Sequence, residues 1–310
     1  MWLPLLALLG LILLYRWYRQ SRILGNLSEK YVFITGCDTG FGRQLAKQLD
    51  GRGMKVLAAC LTEAAAKELN QETSSRLQTV VLNVTDGKSV SAAVKWVENT
   101  VTDKGLWGLV NNAGILIPVC PNEWLKKEDF KKILDVNLLG MVDVTINLLS
   151  LIRKSKGRIV NVSSIAGRLA FCGGGYSISK FGVEAFSDVL RRELKQFGVK
   201  VSIIAPDFFK TNILNATQLK ESVTNIWEKL PMNLRNDYGE DYYHNYCKFL
   251  DVTCSMSTTK LTIVTDCMEH ALTAEHPWTR YSAGSYAKFF YVPLSYLPTC
   301  VTDYILCSRL

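Results

Sequence analysis

Histidine is scarce in this chain, with three in 310 residues, and none of the three (His244, His270, His276) is spaced with cysteines as a metal site requires. A metal centre is therefore not expected. Cysteine is not scarce, but the nine thiols form no CxxC pair and their number is odd. A disulfide framework is excluded on that pattern. Cys37, Cys60 and Cys172 lie in apolar or glycine-rich runs, where a small buried residue fits. Reduced thiols imply a cytosol-facing domain. No block of one charge occurs. The net charge of +8 comes from lysines and arginines interleaved with acids, as in RRELKQFGVK, so nucleic acid is not an expected partner. Repeats and low-complexity linkers are also missing, and the length suits one large α/β domain.

The first fifteen residues, MWLPLLALLGLILLY, lack any side-chain charge. As a helix they span ~22 Å at ~1.5 Å per residue, against a hydrocarbon core of ~30 Å. Snorkelling of Arg16 and interfacial seating of Trp17 and Tyr18 extend that reach. No basic segment precedes the run, and YRWYRQSR offers no small-residue cleavage site, so a retained anchor over residues 1–22 is favoured over a cleaved signal. Arg16, Arg19 and Arg22 follow the run and place the remaining chain in the cytosol by the positive-inside rule. The tail, residues 286–310, is aromatic and broken by Pro293 and Pro298. It is expected to pack or to lie on a membrane rather than cross it.

From Lys30 onward, strand-like YVFIT, KVLAAC, LQTVVL, LWGLV, GRIVNV and VKVSII alternate with helical patterns such as FGRQLAKQLDGRG, SVSAAVKWVENTV and FKKILDVNLLGMVDVTINLL. That alternation predicts a doubly wound parallel sheet of Rossmann type, a single domain over residues 29–285. The more polar stretch 212–276 is placed over the carboxyl edge of the sheet, where such folds bind ligands. Ile213, Leu214, Trp227, Leu230, Tyr242 and Tyr243 are its candidate pocket walls.

Three motifs carry chemistry. The first strand ends in Thr35-Gly36-Cys37-Asp38-Thr39-Gly40-Phe41-Gly42 and opens a helix, the setting for a pyrophosphate at a helix N-terminus. The fourth ends in Asn111-Asn112-Ala113-Gly114. Tyr176 and Lys180 stand one helical turn apart in GGGYSISKFGVEAFSD, where an ammonium group beside a phenol eases its deprotonation. Four N-x-[ST] sequons (Asn26, Asn83, Asn161, Asn215) are read as chance matches, two of them lying at strand ends.

With Asn137 and Ser164 between them, these motifs resemble the short-chain dehydrogenase/reductase family in register over about residues 30–285. YVFITGCDTGFG, GLWGLVNNAG, DCMEHALT and RYSAG are similar to its microsomal branch of retinol and 3α/17β-hydroxysteroid dehydrogenases. The resemblance implies a membrane-bound oxidoreductase of the endoplasmic reticulum that moves a hydride between NAD(H) and a lipophilic alcohol or carbonyl. Tyr176 would exchange the proton, Lys180 would lower the Tyr176 pKa and hold the nicotinamide ribose, and Ser164 would hydrogen-bond the reacting oxygen. Asn137 would anchor a water leading to Lys180. The wider family's spacing selects Ser163; the VSS pattern of the branch selects Ser164, and we assign Ser164. The cofactor-binding set is Thr35, Gly36, Asp38, Thr39, Gly40, Phe41, Gly42, Cys60, Asn83, Val84, Asn111, Ala113, Gly114, Tyr176, Lys180, Pro206 and Thr211.

Cys60 stands where an acid would favour NAD, and Thr39 where a base would favour NADP. The branch tips the assignment to NAD, with NADP kept as the alternative. Asn83 replaces the Asp that bonds adenine. One departure is sharper: the run Ala205-Pro206-Asp207 puts Asp207 where the family has glycine, bringing a carboxylate toward the nicotinamide. The expected partners are a retinoid or steroid and a membrane, with a homo-oligomer as an option. The rival reading is a membrane-associated lipid-binding protein that keeps the fold and whose cofactor site is impaired by Asp207.

Overall fold

Runs of Val, Ile, Leu and Ala that are buried on both faces form the strands, as a parallel sheet covered by helices requires. The computed structural model describes residues 2–307; Met1 of the expected anchor and residues 308–310 of the expected tail lie outside them. The strands are β1 (Tyr31–Thr35), β2 (Lys55–Cys60), β3 (Leu77–Val81), β4 (Gly108–Asn111), β5 (Arg158–Val162), β6 (Lys200–Pro206) and β7 (Arg280–Ala283). They pair in the order β3-β2-β1-β4-β5-β6-β7, every pair parallel. Phe33 of β1 is in register with Leu57 of β2 on one side and Leu109 of β4 on the other. Strand order therefore reverses at β1 and β4, and a crevice opens at their carboxyl ends. β7 has no apolar run to announce it, being a four-residue edge strand with only alternate residues buried.

The helices are α1 (Trp2–Ser21), α2 (Gly40–Gly51), α3 (Glu63–Gln71), α4 (Gly87–Val101), α5 (Lys127–Leu134), α6 (Met141–Ser155), α7 (Gly175–Glu193), α8 (Ala216–Trp227), α9 (Met232–Tyr238), α10 (Glu240–Ser255) and α11 (Thr262–Thr273). Leu45 and Leu49 of α2 meet Met268 and Leu272 of α11 on one face of the sheet. Val97 of α4, Leu148 of α6 and Leu190 of α7 meet on the other. α5 and α6 are one run, as the sequence pattern predicts, joined by a π-helical turn at Asp135–Gly140. Among the described residues, Lys127–Ser155 is the one helical stretch long and apolar enough to cross a membrane. It is packed against α4 and α7 beside the sheet, so those properties serve the core.

α1 is 20 residues long, or ~30 Å. Leu6, Leu8, Leu9, Leu11, Leu13 and Leu14 are exposed along it. Its carboxyl end is fastened to the domain: Arg22 pairs with Glu275 at 3.1 Å, and the Leu24 amide donates to the Thr273 carbonyl at 2.8 Å. His270 stands 2.8 Å from the Gln20 carbonyl and 2.7 Å from the Tyr281 hydroxyl. Beyond β7 the chain turns through short helical segments to Thr299–Cys307, burying Ala287, Tyr291 and Leu294 and exposing Phe289, Tyr296 and Tyr304.

Candidate active site

The turn after β1 is shaped by glycine. Gly36 has φ +71°, and a Cβ there would stand 2.8 Å from the Ala113 Cα, so β1 and β4 approach as only glycine allows. Thr35 fixes that approach from beneath, its Oγ1 accepting from the amides of Asn112 (3.0 Å) and Ala113 (3.1 Å). The Asn112 side-chain Nδ2 donates to the carbonyls of Thr35 and Gly36 at 2.9 and 3.0 Å. Gly40 and Phe41 then begin α2, whose first N–H groups face the crevice.

One continuous cleft of about 340 Å³ runs from this turn to the layer formed by α8 and α10. Gly36, Asp38, Thr39, Gly40, Phe41, Asn83, Val84, Ala113, Gly114, Ser164, Tyr176, Lys180, Pro206 and Thr211 line it. Five expected site residues do not. Thr35 and Gly42 lie behind the turn, and Cys60 is in the core. Asn111 is buried, donating to Thr145 Oγ1 and Asn161 Oδ1 at 2.8 Å each; Asn112, its neighbour, lines the cleft instead. Asn137 is also buried. Its Oδ1 accepts from the Ile115 amide, and its Nδ2 donates to the Ile115 carbonyl, both at 2.8 Å, and to Ser179 Oγ at 3.1 Å. It braces the loop after β4 against α7.

An acid does stand at the end of β2, supplied by the first turn. The Asp38 carboxylate accepts from the Leu61 amide at 2.9 and 3.0 Å and from the Thr62 amide at 3.2 Å. Position along β2 did not reveal this, because the acid comes from another strand. The nearby Arg43 guanidinium is held by Glu72 at 2.9 Å. Asn83 lines the cleft, and its Oδ1 is engaged by the amide and hydroxyl of Thr85 at 3.0 and 2.8 Å.

Tyr176 and Lys180 share the inner face of α7. Lys180 is 5% exposed, its Nζ donating to the Val162 carbonyl at 2.9 Å and lying 5.7 Å from the centre of the Tyr176 ring. Burial pushes Lys180 down to about 8. Burial also pushes Tyr176 up to about 12, opposed by a hydrogen bond with Ser164. Desolvation is the largest influence on the Tyr176 phenol, and the Ser164 hydroxyl opposes it. Ser164, not Ser163, meets the phenol. Ser163 Oγ points to the Lys180 carbonyl at 3.4 Å.

Asp207 lines the cleft but its carboxylate is turned from it. Oδ2 accepts from the Ala287 amide at 3.0 Å, and the Tyr286 amide adds a second bond. Burial raises this carboxyl above its ordinary range, with those backbone donors opposing. Gly284, at φ +105°, makes the room: a Cβ there would stand 2.1 Å from Oδ2. The carboxylate caps the helical turn after β7, engaged by backbone amides there. Asp207→Gly is expected to lower stability by about 1–2 kcal/mol in thermal unfolding and to leave NADH affinity within about twofold. Tighter NADH binding in that variant would show that the carboxylate obstructs the site.

Of the candidate pocket walls, Ile213 and Leu214 line the cleft. Trp227, Leu230, Tyr242 and Tyr243 form a layer behind it, with Trp227 stacked on Tyr243 at 5.2 Å. The inner walls are Phe171, Leu219, Tyr246, Phe249 and Leu250. Helical periodicity marked α8 and α10 as amphipathic without telling which turn faces a ligand.

The short chain dehydrogenase family model matches residues 30–222. The chain is 55% identical over 306 residues to retinol dehydrogenase 7 of Rattus norvegicus, covering 99% of this chain and 96% of that one. It is likewise 55% identical over 309 residues to 17-beta-hydroxysteroid dehydrogenase type 6 of Homo sapiens, with the same coverage, 99% and 96%. Among solved structures, a short-chain dehydrogenase from Streptomyces avermitilis superposes with TM-score 0.69 at 23% identity, over 90% of this chain and 97% of that one. A short chain dehydrogenase/reductase from Burkholderia phymatum in complex with NAD superposes with TM-score 0.65 at 22% identity, over 80% and 87%. The sheet agrees with these likenesses in fold, and the chain belongs to the short chain dehydrogenase family.

Proposed function

We propose that the chain is an NAD-dependent dehydrogenase of lipophilic alcohols, of the retinol or hydroxysteroid class, working from a membrane surface. One observation carries the reading: the hydrogen-bonded phenol of Tyr176 and hydroxyl of Ser164 stand where the nucleotide half of a single cleft meets an apolar half. The retinol and 17-beta-hydroxysteroid dehydrogenases to which the chain is similar support the substrate class.

The cleft fits a dinucleotide. The α2 N-terminus and the Gly36 turn would receive the pyrophosphate, the Asn83 amide the adenine, and the Lys180 ammonium the nicotinamide ribose. Bound NAD supplies the hydride acceptor. Ser164 donates to the substrate oxygen and fixes it against Tyr176. As the carbinol carbon gives up its hydride, the hydroxyl proton passes to the ionised Tyr176 oxygen, leaving the neutral phenol; in reverse, that neutral phenol protonates the carbonyl oxygen. Asn137 holds Ile115 and Ser179 in place, and the remaining lone pair of its Oδ1 is available to a water beside Lys180.

The Asp38 carboxylate favours NAD by repelling a 2′-phosphate. Asp38→Asn is expected to raise kcat/KM with NADP relative to NAD by about tenfold, an effect of about 1.4 kcal/mol. An unchanged cofactor ratio would remove Asp38 from that role.

The exposed leucines of α1 suit a bilayer, and Phe289, Tyr296 and Tyr304 supply further apolar surface for its interface. An endoplasmic-reticulum location with the domain in the cytosol remains part of this proposal, resting on Arg16, Arg19 and Arg22. Exposed Ile178, Phe181 and Val189 on α7, with Ile146 on α6, offer a face for a homo-oligomer. The test of the reading is NADH formation from all-trans-retinol or a 3α-hydroxysteroid; no turnover by protein that binds NADH would favour the lipid-binding alternative.

A further inference from the structure

The apolar half of the cleft contains one phenol that the reaction does not use. Tyr246, on α10, lines the cleft and is 9% exposed. Its ring packs 6.1 Å from Trp124 and 6.4 Å from Phe249, centre to centre. Its hydroxyl makes no hydrogen bond among the described residues and is not one of the fully enclosed unpaired atoms, so it is open to the cleft that the residue lines. Two other hydroxyl side chains of the cleft are committed. Thr253 Oγ1 donates to the Phe249 carbonyl at 2.9 Å, and Ser163 to the Lys180 carbonyl. Tyr176 and Ser164 are bonded to each other at the reacting end. Burial holds the Tyr246 phenol far above its ordinary pKa, so it stays a neutral donor across the physiological range.

We propose that Tyr246 donates a hydrogen bond to a second oxygen of the substrate, so that the cleft selects rigid apolar alcohols carrying two oxygens over those carrying one. The inference rests on the dehydrogenase reading for the orientation of the substrate, since Ser164 and Tyr176 take the reacting oxygen. A ligand oxygen relieves the desolvated phenol, and a hydrocarbon in the same place leaves it unpaired. A site built around a hydrogen bond discriminates against the analogue that lacks the partner. All-trans-retinol has a single oxygen and forgoes this contact; a dihydroxysteroid does not.

The experiment is a binding titration on the full-length, NADH-loaded protein, read by tryptophan fluorescence, with a 3α,17β-dihydroxysteroid and its 17-deoxy analogue. Wild type is expected to bind the dihydroxy compound about tenfold more tightly. Tyr246→Phe is expected to remove that preference by weakening the dihydroxy compound alone, with the deoxy compound and retinol unchanged within about twofold. Equal wild-type affinities, or absence of binding by both steroids, would overturn the proposal without recourse to the variant. Equal losses for both steroids in Tyr246→Phe would assign the residue to packing and overturn it as well. A parallel assay of NADH formation separates the two readings: binding with the expected preference but no turnover would fail the dehydrogenase assignment and leave the Tyr246 contact standing.

Discussion

Tyr176→Phe is expected to lower kcat for a lipid alcohol by about a thousandfold while NADH binding stays within about twofold of wild type. The phenol oxygen is the one proton-exchanging atom that Ser164 holds at the junction of the two halves of the cleft. Phenylalanine fills the same space, so packing against the layer of α8 and α10 survives and the loss is chemical. The direction of the pH dependence follows from burial, which lifts this phenol to about 12. Alcohol oxidation needs the ionised oxygen and climbs through alkaline pH. Carbonyl reduction uses the neutral phenol, so the ionisation of Tyr176 leaves it unaffected across neutral pH. Stopped-flow measurement of both directions in wild type and variant checks the two statements together. A variant that keeps more than a tenth of wild-type kcat would remove Tyr176 from proton transfer.

Lys180→Met is expected to abolish turnover and yet raise the melting temperature of the cofactor-free protein. Burial depresses the folded-state pKa of Lys180 from 10.5 to about 8. A base whose folded pKa is lowered binds protons more weakly in the native state, so it opposes folding at every pH below its unfolded value. The penalty is full below about 8 and fades as pH rises toward 10.5. Methionine removes that penalty, of about 3 kcal/mol, but forfeits the hydrogen bond to the Val162 carbonyl, of about 1 kcal/mol. The net gain of about 2 kcal/mol at neutral pH corresponds to a rise of a few degrees, shrinking as the buffer is taken to pH 10. Calorimetry at two pH values reads it. A melting temperature that falls at neutral pH would mean that Lys180 is structural rather than held at a cost for catalysis.

Six strands of the sheet were legible because each is a short β-branched or leucine-rich run between turn signals. β7 was not, since RYSA has the composition of a loop and becomes a strand only by pairing with β6. The site was legible where one motif carries both backbone and side chain, as in the glycine turn and the helix of Tyr176 and Lys180. It failed where a contact joins distant segments. Asp38 reaches across to the end of β2, so finding only Cys60 at that place along the chain left the nearby carboxylate unseen. The sequence alone puts the Asp207 carboxylate toward the nicotinamide, because its partners, the Ala287 amide and the space over Gly284, lie about 80 residues on. The burial of the Tyr176 phenol is a further property that spacing does not carry. Helix spacing reports that an ammonium group is near, but not how much water the fold removes.

The central claim is that this cleft turns over lipophilic alcohols with NAD. It is tested most directly by one measurement on the full-length protein in lipid: NADH formation across a panel of retinoids and hydroxysteroids with NAD and NADP in parallel. The account predicts NADH from at least one member of the panel, faster with NAD than with NADP. A protein that binds NADH but oxidises no alcohol in the panel, and reduces none of the corresponding carbonyls, would contradict it.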